Sequence, residues 1–175
     1  LVKEFNEGYK GILYGGFMAT SDGVKLIEYN ARFGDPEAMN LLTLLESDFA
    51  SVCMSMANGN LVDVKFKNEA SVCKYVVPKG YGSNPANDAT LVVNDSYRKH
   101  SDLYYAAVNV NDSGDITTTS SRAAAIVSTG HDIATAESRC ESGLSYISGN
   151  NIFVRHDIAK PHLIDKRIQN MESIR

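Results

Sequence analysis

The stretch LIEYNARFGDPE, from Leu26 to Glu37, constrains the fold of this chain more than any other. From Leu26 to Phe33 the sequence alternates as a strand requires, which places Glu28, Asn30 and Arg32 on one face. Same-face residues of a strand lie about 6.6–6.8 Å apart. At that spacing a carboxylate and an amide oxygen converge on one hard cation, with a guanidinium next in line. Mg²⁺ prefers such oxygens and usually takes only one or two protein ligands besides phosphate oxygens. The guanidinium of Arg32 is planar and can donate two parallel hydrogen bonds to a phosphate or a carboxylate.

The segment before this stretch predicts a β-hairpin. Residues 11–20 (GILYGGFMAT) are typical of a strand, although two adjacent glycines interrupt it. Ser21-Asp22-Gly23 is a hairpin turn signal, and Val24 to Phe33 forms the predicted return strand.

The register of this hairpin depends on the length of its turn. A two-residue turn at Asp22-Gly23 places Asn30 opposite Gly15, whereas a three-residue loop places Glu28 opposite Gly16. In both cases a glycine lies opposite one of the two oxygen donors. Glycine inside a strand marks either the close approach of a ligand or a bulge, and both interpretations stay open. The oxygen donors opposite favour a cleared binding surface.

A helix is predicted directly after the strand. Asp35 suits the N-cap, Pro36 the first helical position and Glu37 the first turn. Ser47-Asp48 offers a second cap, after which apolar residues continue at helical spacing until Asn58-Gly59. Asp35 also stands where the ligand-bearing strand ends, so it is both a cap and a candidate substrate contact, because helix N-termini attract anions.

From about residue 69 the sequence predicts a compact α+β domain of short strands and two helices. The strands are assigned to Ser71–Val77, Leu103–Val110, Ile116–Thr119, Ala123–Val127 and Asn151–Val154, and the helices to Asp132–Ser148 and to a C-terminal segment from about Pro161.

Composition excludes several classes of function. The net charge of −4 over 175 residues gives no reason to expect a surface for nucleic acid or for an anionic membrane, and no apolar run is long enough to span a bilayer. The three cysteines share no metal-binding or redox spacing, which predicts free thiols in a reducing, cytoplasmic compartment. The four histidines form no H-x-H or H-x-x-x-H pair.

Several motifs together resemble one family. IEYNARFGDPE resembles the E-x-N-x-R-F-G-D-P-E signature of glycinamide ribonucleotide synthetase (phosphoribosylamine–glycine ligase), an ATP-grasp ligase of purine biosynthesis. YKGILYGGFM, LLESDF, SSRAAAIVSTG and VRHDIAK resemble further elements of that family, so that the resemblance covers essentially the whole chain. E-x-N alone is shared by ATP-grasp enzymes in general, and the RFGDPE continuation makes the match specific.

The resemblance implies an α+β architecture. Residues 1–68 would be the C-terminal part of an ATP-grasp antiparallel sheet with helices, and residues 69–175 a small α+β C-terminal domain. The chain begins at Leu1 without Met. We therefore expect a piece of a longer enzyme, whose N-terminal part carries the glycine-rich loop over the ATP phosphates.

Two loops depart from the family pattern. Pro78-Lys79 stands where the family commonly has Gly-Gly, and Ser121 to Ala124 (SRAA) replaces G-R-V-L. The resemblance therefore assigns no role to the loops Pro78–Gly82 and Ser121–Ala124.

The resemblance also implies a reaction. ATP phosphorylates the carboxylate of glycine, and the amine of 5-phosphoribosylamine attacks the acyl phosphate to give glycinamide ribonucleotide, ADP and phosphate. By resemblance Glu28 and Asn30 hold Mg²⁺ or Mn²⁺, and Arg32 acts in catalysis by contacting phosphate or the acyl phosphate.

The remaining residue roles are implied in the same way. Gly34, Asp35 and Glu37 would lie near the amine substrate, and Phe17 or Met18 would wall the adenine. The expected partners are ATP, glycine, 5-phosphoribosylamine and the missing N-terminal part of the same enzyme, with neither nucleic acid nor membrane.

Two alternatives remain. The first is another ATP-grasp carboxylate–amine ligase or a carboxylase, which RFGDPE argues against. The second is a stand-alone, noncatalytic binding module. On the main hypothesis the chain alone is expected to be inactive.

Overall fold

The computed structural model describes residues 8–60 and 62–174, which fall into two compact units. The first unit contains the described parts of Leu1–Asn68 and Arg167–Arg175, and the second is Glu69–Lys166. Both units combine helices with antiparallel strands, so the predicted α+β class is confirmed. No helix in the described part of the chain is long and apolar enough to cross a membrane.

The first unit is built on one hairpin followed by two helices. Its elements are β1 (Tyr14–Thr20), β2 (Gly23–Asn30), α1 (Glu37–Leu44) and α2 (Phe49–Ala57). The predicted cap of the second helix is confirmed, because a carboxylate oxygen of Asp48 accepts a hydrogen bond from the Ser51 N–H at 2.7 Å.

The predicted cap of α1 is wrong. The helix begins at Glu37 with Pro36 at the N-cap position, so Asp35 lies one residue outside it. The Ala38 N–H bonds to the Gly34 carbonyl at 2.9 Å, and the Met39 N–H bonds to the Pro36 carbonyl at 3.0 Å. Main-chain carbonyls of the preceding turn therefore satisfy these first-turn donors, which a capping side chain was expected to serve.

The second unit contains two four-stranded antiparallel sheets. One has the order β10-β3-β8-β5 and the other the order β6-β7-β4-β9. The strands are β3 (Ala70–Pro78), β4 (Thr90–Val93), β5 (Asp102–Tyr105), β6 (Val108–Val110), β7 (Ile116–Thr118), β8 (Ala124–Gly130), β9 (Ile147–Ser148) and β10 (Ile152–Val154). A 3₁₀ helix (Asp95–Lys99), α3 (Ile133–Leu144) and α4 (Pro161–Ile174) complete the chain. Valines of β3, an alanine and an isoleucine of β8 and apolar residues of α3 form the core.

Two sequence predictions for this unit were wrong in their boundaries. The strand predicted over Leu103–Val110 is two strands, because β5 pairs with β8 in one sheet while β6 pairs with β7 in the other. The helix predicted over Asp132–Ser148 ends at Leu144, because Ile147–Ser148 pairs with β4 instead.

The core-facing side of β3 also carries a charge. Lys74 is fully buried, and its Nζ donates to Glu137 Oε1 at 2.7 Å, to Glu141 Oε1 at 2.5 Å and to the His156 carbonyl at 3.1 Å. Glu137 Oε1 is also 2.6 Å from Lys160 Nζ. We call these five residues the Lys74 network; it joins β3, α3 and the segment that leads into α4.

Candidate active site

The two predicted oxygen donors meet at the end of β2. Asn30 Nδ2 donates a hydrogen bond to Glu28 Oε1 at 3.0 Å, so the side chains lie side by side on the strand face. This bond leaves the amide oxygen of Asn30 and the second carboxylate oxygen of Glu28 as acceptors. One carboxylate and one amide oxygen are the hard ligands that Mg²⁺ or Mn²⁺ prefers.

The rest of such a coordination shell would have to come from elsewhere. Among the described residues, no group of three or more His, Cys, Asp or Glu side chains is placed to hold a metal ion. A cation beside Glu28 and Asn30 would therefore complete its shell with water or with phosphate oxygens of a substrate. Mg²⁺ usually binds in this way, so the carboxylate of Glu28 and the amide oxygen of Asn30 fit a site for this ion.

Of the two interpretations of the strand glycines, the structure shows the bulge. Gly16 lies opposite Glu28, and a bulge between Gly16 and Phe17 shifts the register towards the turn. The turn itself is Ser21-Asp22, one residue earlier than the predicted two-residue turn. A Cβ added at Gly16 would lie 3.5 Å from Glu28 Cγ, which is an ordinary contact, so lack of space does not require this glycine.

Arg32 does not share the regular strand geometry of the other two residues. β2 ends at Asn30, so the strand predicted to Phe33 was three residues too long. Arg32 is exposed, and its Nη1 donates to the Phe33 carbonyl at 2.8 Å. Strand alternation therefore explains the placement of Glu28 and Asn30, whereas a loop conformation sets the position of Arg32.

A second polar contact forms where the loop enters α1. The Tyr14 hydroxyl donates to Glu37 Oε1 at 3.1 Å, and this hydrogen bond raises the pKa of Tyr14. Gly34 is buried beside the pair, and a Cβ at this position would lie 2.5 Å from Glu37 Oε2 and 3.1 Å from Tyr14 Cδ2. The sequence predictions missed Tyr14, since nothing in a strand pattern indicates a contact with a helix 23 residues later.

The two nucleotide-binding candidates lie on different faces of β1. Alternation along the strand puts Met18 on the side of Gly16 and Glu28, and Phe17 on the other side. The Phe17 ring packs edge-on against Tyr29 with a centroid distance of 5.9 Å. Both side chains are about half exposed, at 53% and 54%. Asp35 is also exposed.

Sequence profiles of two domains match this chain. Residues 1–38 match the profile "Phosphoribosylglycinamide synthetase, ATP-grasp (A) domain". Residues 71–161 match the profile "Phosphoribosylglycinamide synthetase, C domain". Every candidate residue of the site, from Phe17 to Glu37, lies within the first match.

Curated relatives agree with these profiles. The chain is similar to the phosphoribosylamine–glycine ligase of Methanocella arvoryzae, with 50% identity over 99% of this chain and 40% of the relative. It is similar to the ligase of the same name from Methanocaldococcus jannaschii, with 49% identity over 99% of this chain and 40% of the relative. The chain thus spans about 40% of the length of these curated relatives.

Solved structures show the same fold. The phosphoribosylamine–glycine ligase of Thermotoga maritima superposes with a TM-score of 0.69 and 22% identity, over 83% of this chain and 36% of that chain. The biotin carboxylase domain of a thermophilic 2-oxoglutarate carboxylase superposes with a TM-score of 0.62 and 19% identity, over 91% of this chain and 37% of that chain.

Proposed function

This chain belongs to the phosphoribosylglycinamide synthetase family, and on that premise we propose that it is the C-terminal part of an ATP-dependent ligase. The complete enzyme would join glycine to 5-phosphoribosylamine in purine biosynthesis, through glycyl phosphate, with release of ADP and phosphate. We assign residues 1–68 to the C-terminal part of its ATP-grasp domain and residues 69–175 to its C-terminal domain. We infer a cytoplasmic location, since three free cysteines suit a reducing compartment.

One observation carries this proposal. Glu28 and Asn30 converge within hydrogen-bonding distance at the end of β2, inside the segment that matches the ATP-grasp profile. Such a pair supplies only part of a metal shell, which is what an enzyme needs when phosphate oxygens of ATP are to supply the rest.

The proposed roles follow from the residue types. Glu28 and Asn30 would hold the Mg²⁺ or Mn²⁺, which would supply positive charge to offset that of the phosphates during phosphoryl transfer. Arg32 would leave its contact with the Phe33 carbonyl and bind the transferred phosphate or the acyl phosphate, because its guanidinium is a planar donor for such oxygens. Phe17 or Met18 would contact the adenine of the nucleotide.

The loop into α1 is the proposed binding site of the amine substrate, through Gly34, Asp35 and Glu37. Glu37 is an acceptor that the Tyr14 hydroxyl already orients. Buried Gly34 lets the loop pass close to Glu37, since a side chain there would displace that carboxylate. An oriented carboxylate beside an exposed aspartate suits the recognition of an amine.

The remaining part of the same polypeptide is the proposed partner of the first unit. A two-stranded sheet is marginally stable alone, and β2 leaves Val24 71% and Ile27 61% exposed. The unit also carries a groove of about 760 Å³ lined mostly by apolar side chains, among them Phe33, Leu42 and Phe49. Because the curated relatives are much longer than this chain, we assign the covering of these surfaces to the rest of the ligase.

Ligase turnover by the complete enzyme tests the proposal. Glu28→Ala should lower kcat by at least about a hundredfold, because the metal loses its charged ligand, while the circular dichroism spectrum stays the same. Asp22→Ala removes an equally exposed carboxylate from the hairpin turn and should leave kcat unchanged. A raised Mg²⁺ concentration should restore part of the Glu28→Ala activity.

Two results would count against the assignment. A Glu28→Ala enzyme with near-normal kcat would remove Glu28 from the metal shell. Measurable turnover of glycine, ATP and 5-phosphoribosylamine by the purified 175-residue chain would show that the active site is not shared with the rest of the polypeptide.

A further inference from the structure

The strand β5 (Asp102–Tyr105) is the last strand of the sheet β10-β3-β8-β5, and in the described part of the chain no strand pairs with its outer side. Its sequence is DLYY, and the side chains of Tyr104 and Tyr105 are 43% and 50% exposed. Proteins usually protect such an edge with lysine, proline or a β-bulge, and β5 contains none of these. An open edge with two exposed aromatic residues is therefore a surface to which another strand can be added.

The hydrogen bonds to β8 identify which main-chain groups of β5 face outwards. The Ala106 N–H, directly after the strand, donates to the Ala123 carbonyl of the neighbouring chain segment at 2.8 Å. In an antiparallel ladder the main-chain groups of successive residues alternate between the two sides of the strand. The N–H and carbonyl groups of Tyr104 therefore face β8, whereas those of Leu103 and Tyr105 face away from the sheet.

A second copy of β5 matches this pattern when the two strands pair antiparallel about a twofold axis at Tyr104. Leu103 of each copy then lies opposite Tyr105 of the other, and each such pair exchanges two main-chain hydrogen bonds. The two Tyr104 residues lie opposite each other at a position without hydrogen bonds, where Cα atoms are about 4.5 Å apart and aromatic pairs stabilise a sheet. A twofold axis at Leu103 would instead pair Tyr105 with Ser101, which precedes the strand and is buried. Of these two registers, the axis at Tyr104 pairs all the outward-facing groups within β5.

The charges beside β5 favour a second copy over a strongly charged partner. The 3₁₀ helix and β5 carry two aspartates, one arginine and one lysine, so their net charge is zero: Asp95, Asp102, Arg98 and Lys99. The Arg98 guanidinium also lies 3.4 Å from a carboxylate oxygen of Asp95. An acidic or a basic partner is selected by a surface of the opposite sign. A second copy of this chain brings the same balanced set of charges and needs no such surface.

We propose that β5 is a self-association surface, through which the sheets of two copies of this chain continue into each other. Two strands of four residues form a small contact, below the roughly 1,200–2,000 Å² of a stable interface. The dimer is therefore weak and depends on protein concentration, with a Kd on the order of 100 µM. None of the residues proposed for the ligase site takes part, so the dimer is independent of the proposed function.

A charge-swap experiment tests the position of the axis. Tyr104→Lys and Tyr104→Glu each place two like charges opposite each other, which destabilises a cross-strand pair. In sedimentation velocity each variant should self-associate at least about tenfold more weakly than the unmodified 175-residue chain. An equimolar mixture of the two variants places opposite charges at the axis and should restore association. Phe153→Lys is the matched control, because Phe153 is 51% exposed on β10 at the other edge of the same sheet, and it should change the Kd by less than about twofold.

Amide exchange of the unmodified chain tests the same register without any variant. The Leu103 and Tyr105 amides should exchange more slowly as the protein concentration rises, because their N–H groups become bonded in the dimer. The Tyr104 amide already faces β8, so its exchange rate should change much less. The same three amides of the complete enzyme should respond to concentration in the same way.

Several results would overturn the proposal. These are the absence of any concentration dependence in both measurements, a Tyr104→Lys chain that associates like the unmodified chain, a mixture that does not restore association, and an equal effect of Phe153→Lys. Leu103 and Tyr105 amides that are protected at every concentration in the complete enzyme would show that the rest of the ligase covers β5, which would overturn it as well. Both measurements contain neither ATP nor metal, so their outcome leaves the Glu28 test of ligase function untouched.

Discussion

Replacing Lys74 by methionine should destabilise the second unit by about 3 kcal/mol. Methionine keeps the length and the apolar stem of the buried side chain, so the change isolates the ammonium. The lost interactions are hydrogen bonds to Glu137 Oε1 at 2.7 Å, to Glu141 Oε1 at 2.5 Å and to the His156 carbonyl at 3.1 Å.

The size of the expected loss of stability depends on the contacts that Glu137 and Glu141 keep when Lys74 is replaced. Breaking a buried ion pair by removing one partner costs about 3–5 kcal/mol, because the other charge is left uncompensated. Glu137 is only 7% exposed but keeps Lys160 at 2.6 Å, and Glu141 keeps the His156 Nδ1 at 2.9 Å. Those contacts place the expected loss at the lower end of that range.

Amide hydrogen exchange of β3 is the appropriate assay, because it reports on the second unit alone. A loss of about 3 kcal/mol should lower the protection of the Val72–Val77 amides about a hundredfold if they exchange by opening of the whole unit. A denaturant curve of the full chain would mix the unfolding of two units.

Two further variants define the outcome. Lys99→Met alters an exposed lysine and should change the protection of the same amides by less than about threefold. Adding Glu141→Gln to Lys74→Met removes one uncompensated charge and should recover part of the loss. Lys74→Met protection equal to that of Lys99→Met would refute the reasoning, since the network would then contribute nothing to stability.

The remaining predictions concern pH and thiol chemistry. Burial disfavours the charges of Glu137 and Glu141, but hydrogen bonds from Lys160 and Lys74 lower the pKa of Glu137, and those from Lys74 and His156 lower that of Glu141, from an ordinary 4.5. Their stabilisation is therefore complete above about pH 4.5 and is lost as pH falls through the folded-state pKa values. The protection factors of the Val72–Val77 amides, which report on the second unit alone, should therefore drop below about pH 4.5, and this drop should be smaller in Glu137→Gln. Burial raises the pKa of Cys140 to about 12, so iodoacetamide at pH 8 should label the partly exposed Cys53 in the folded chain and Cys140 only after denaturation, as mass spectrometry would show; labelling of both at equal rates would contradict this.

Local sequence signals predicted those parts of the fold that depend on neighbours in the chain. Alternation placed Glu28 and Asn30 together because same-face residues of a strand must be adjacent. The Ser47-Asp48 cap was predictable because the acceptor and the N–H that it serves lie within one turn. The end of β2 was not predictable in this way, since Ala31 to Phe33 continue the alternating pattern although the backbone has left the strand.

Long-range pairing decided what the sequence could not predict. Lys74 stands in an apolar strand sequence, and the two glutamates that neutralise it lie 63 and 67 residues away. The strand break at Ala106-Ala107 has the same origin, since the N–H groups of these residues bond to the carbonyls of Ala123 and Arg122. A pattern read along one segment contains no information about which distant strand will pair with it.

If Glu28 and Asn30 form the proposed metal site, their pairing couples the binding of the metal to the binding of the nucleotide. Two oxygen donors bind a divalent cation weakly, because most of the coordination shell remains water. Phosphate oxygens of ATP add negative charge and ligands to the same ion, so the cation and the nucleotide each raise the affinity of the site for the other by the same factor. A strand that carried a complete shell would hold the metal without ATP and leave no position for the phosphates to occupy. On the proposed function, the incomplete donor pair at the end of β2 would therefore make metal binding depend on the nucleotide.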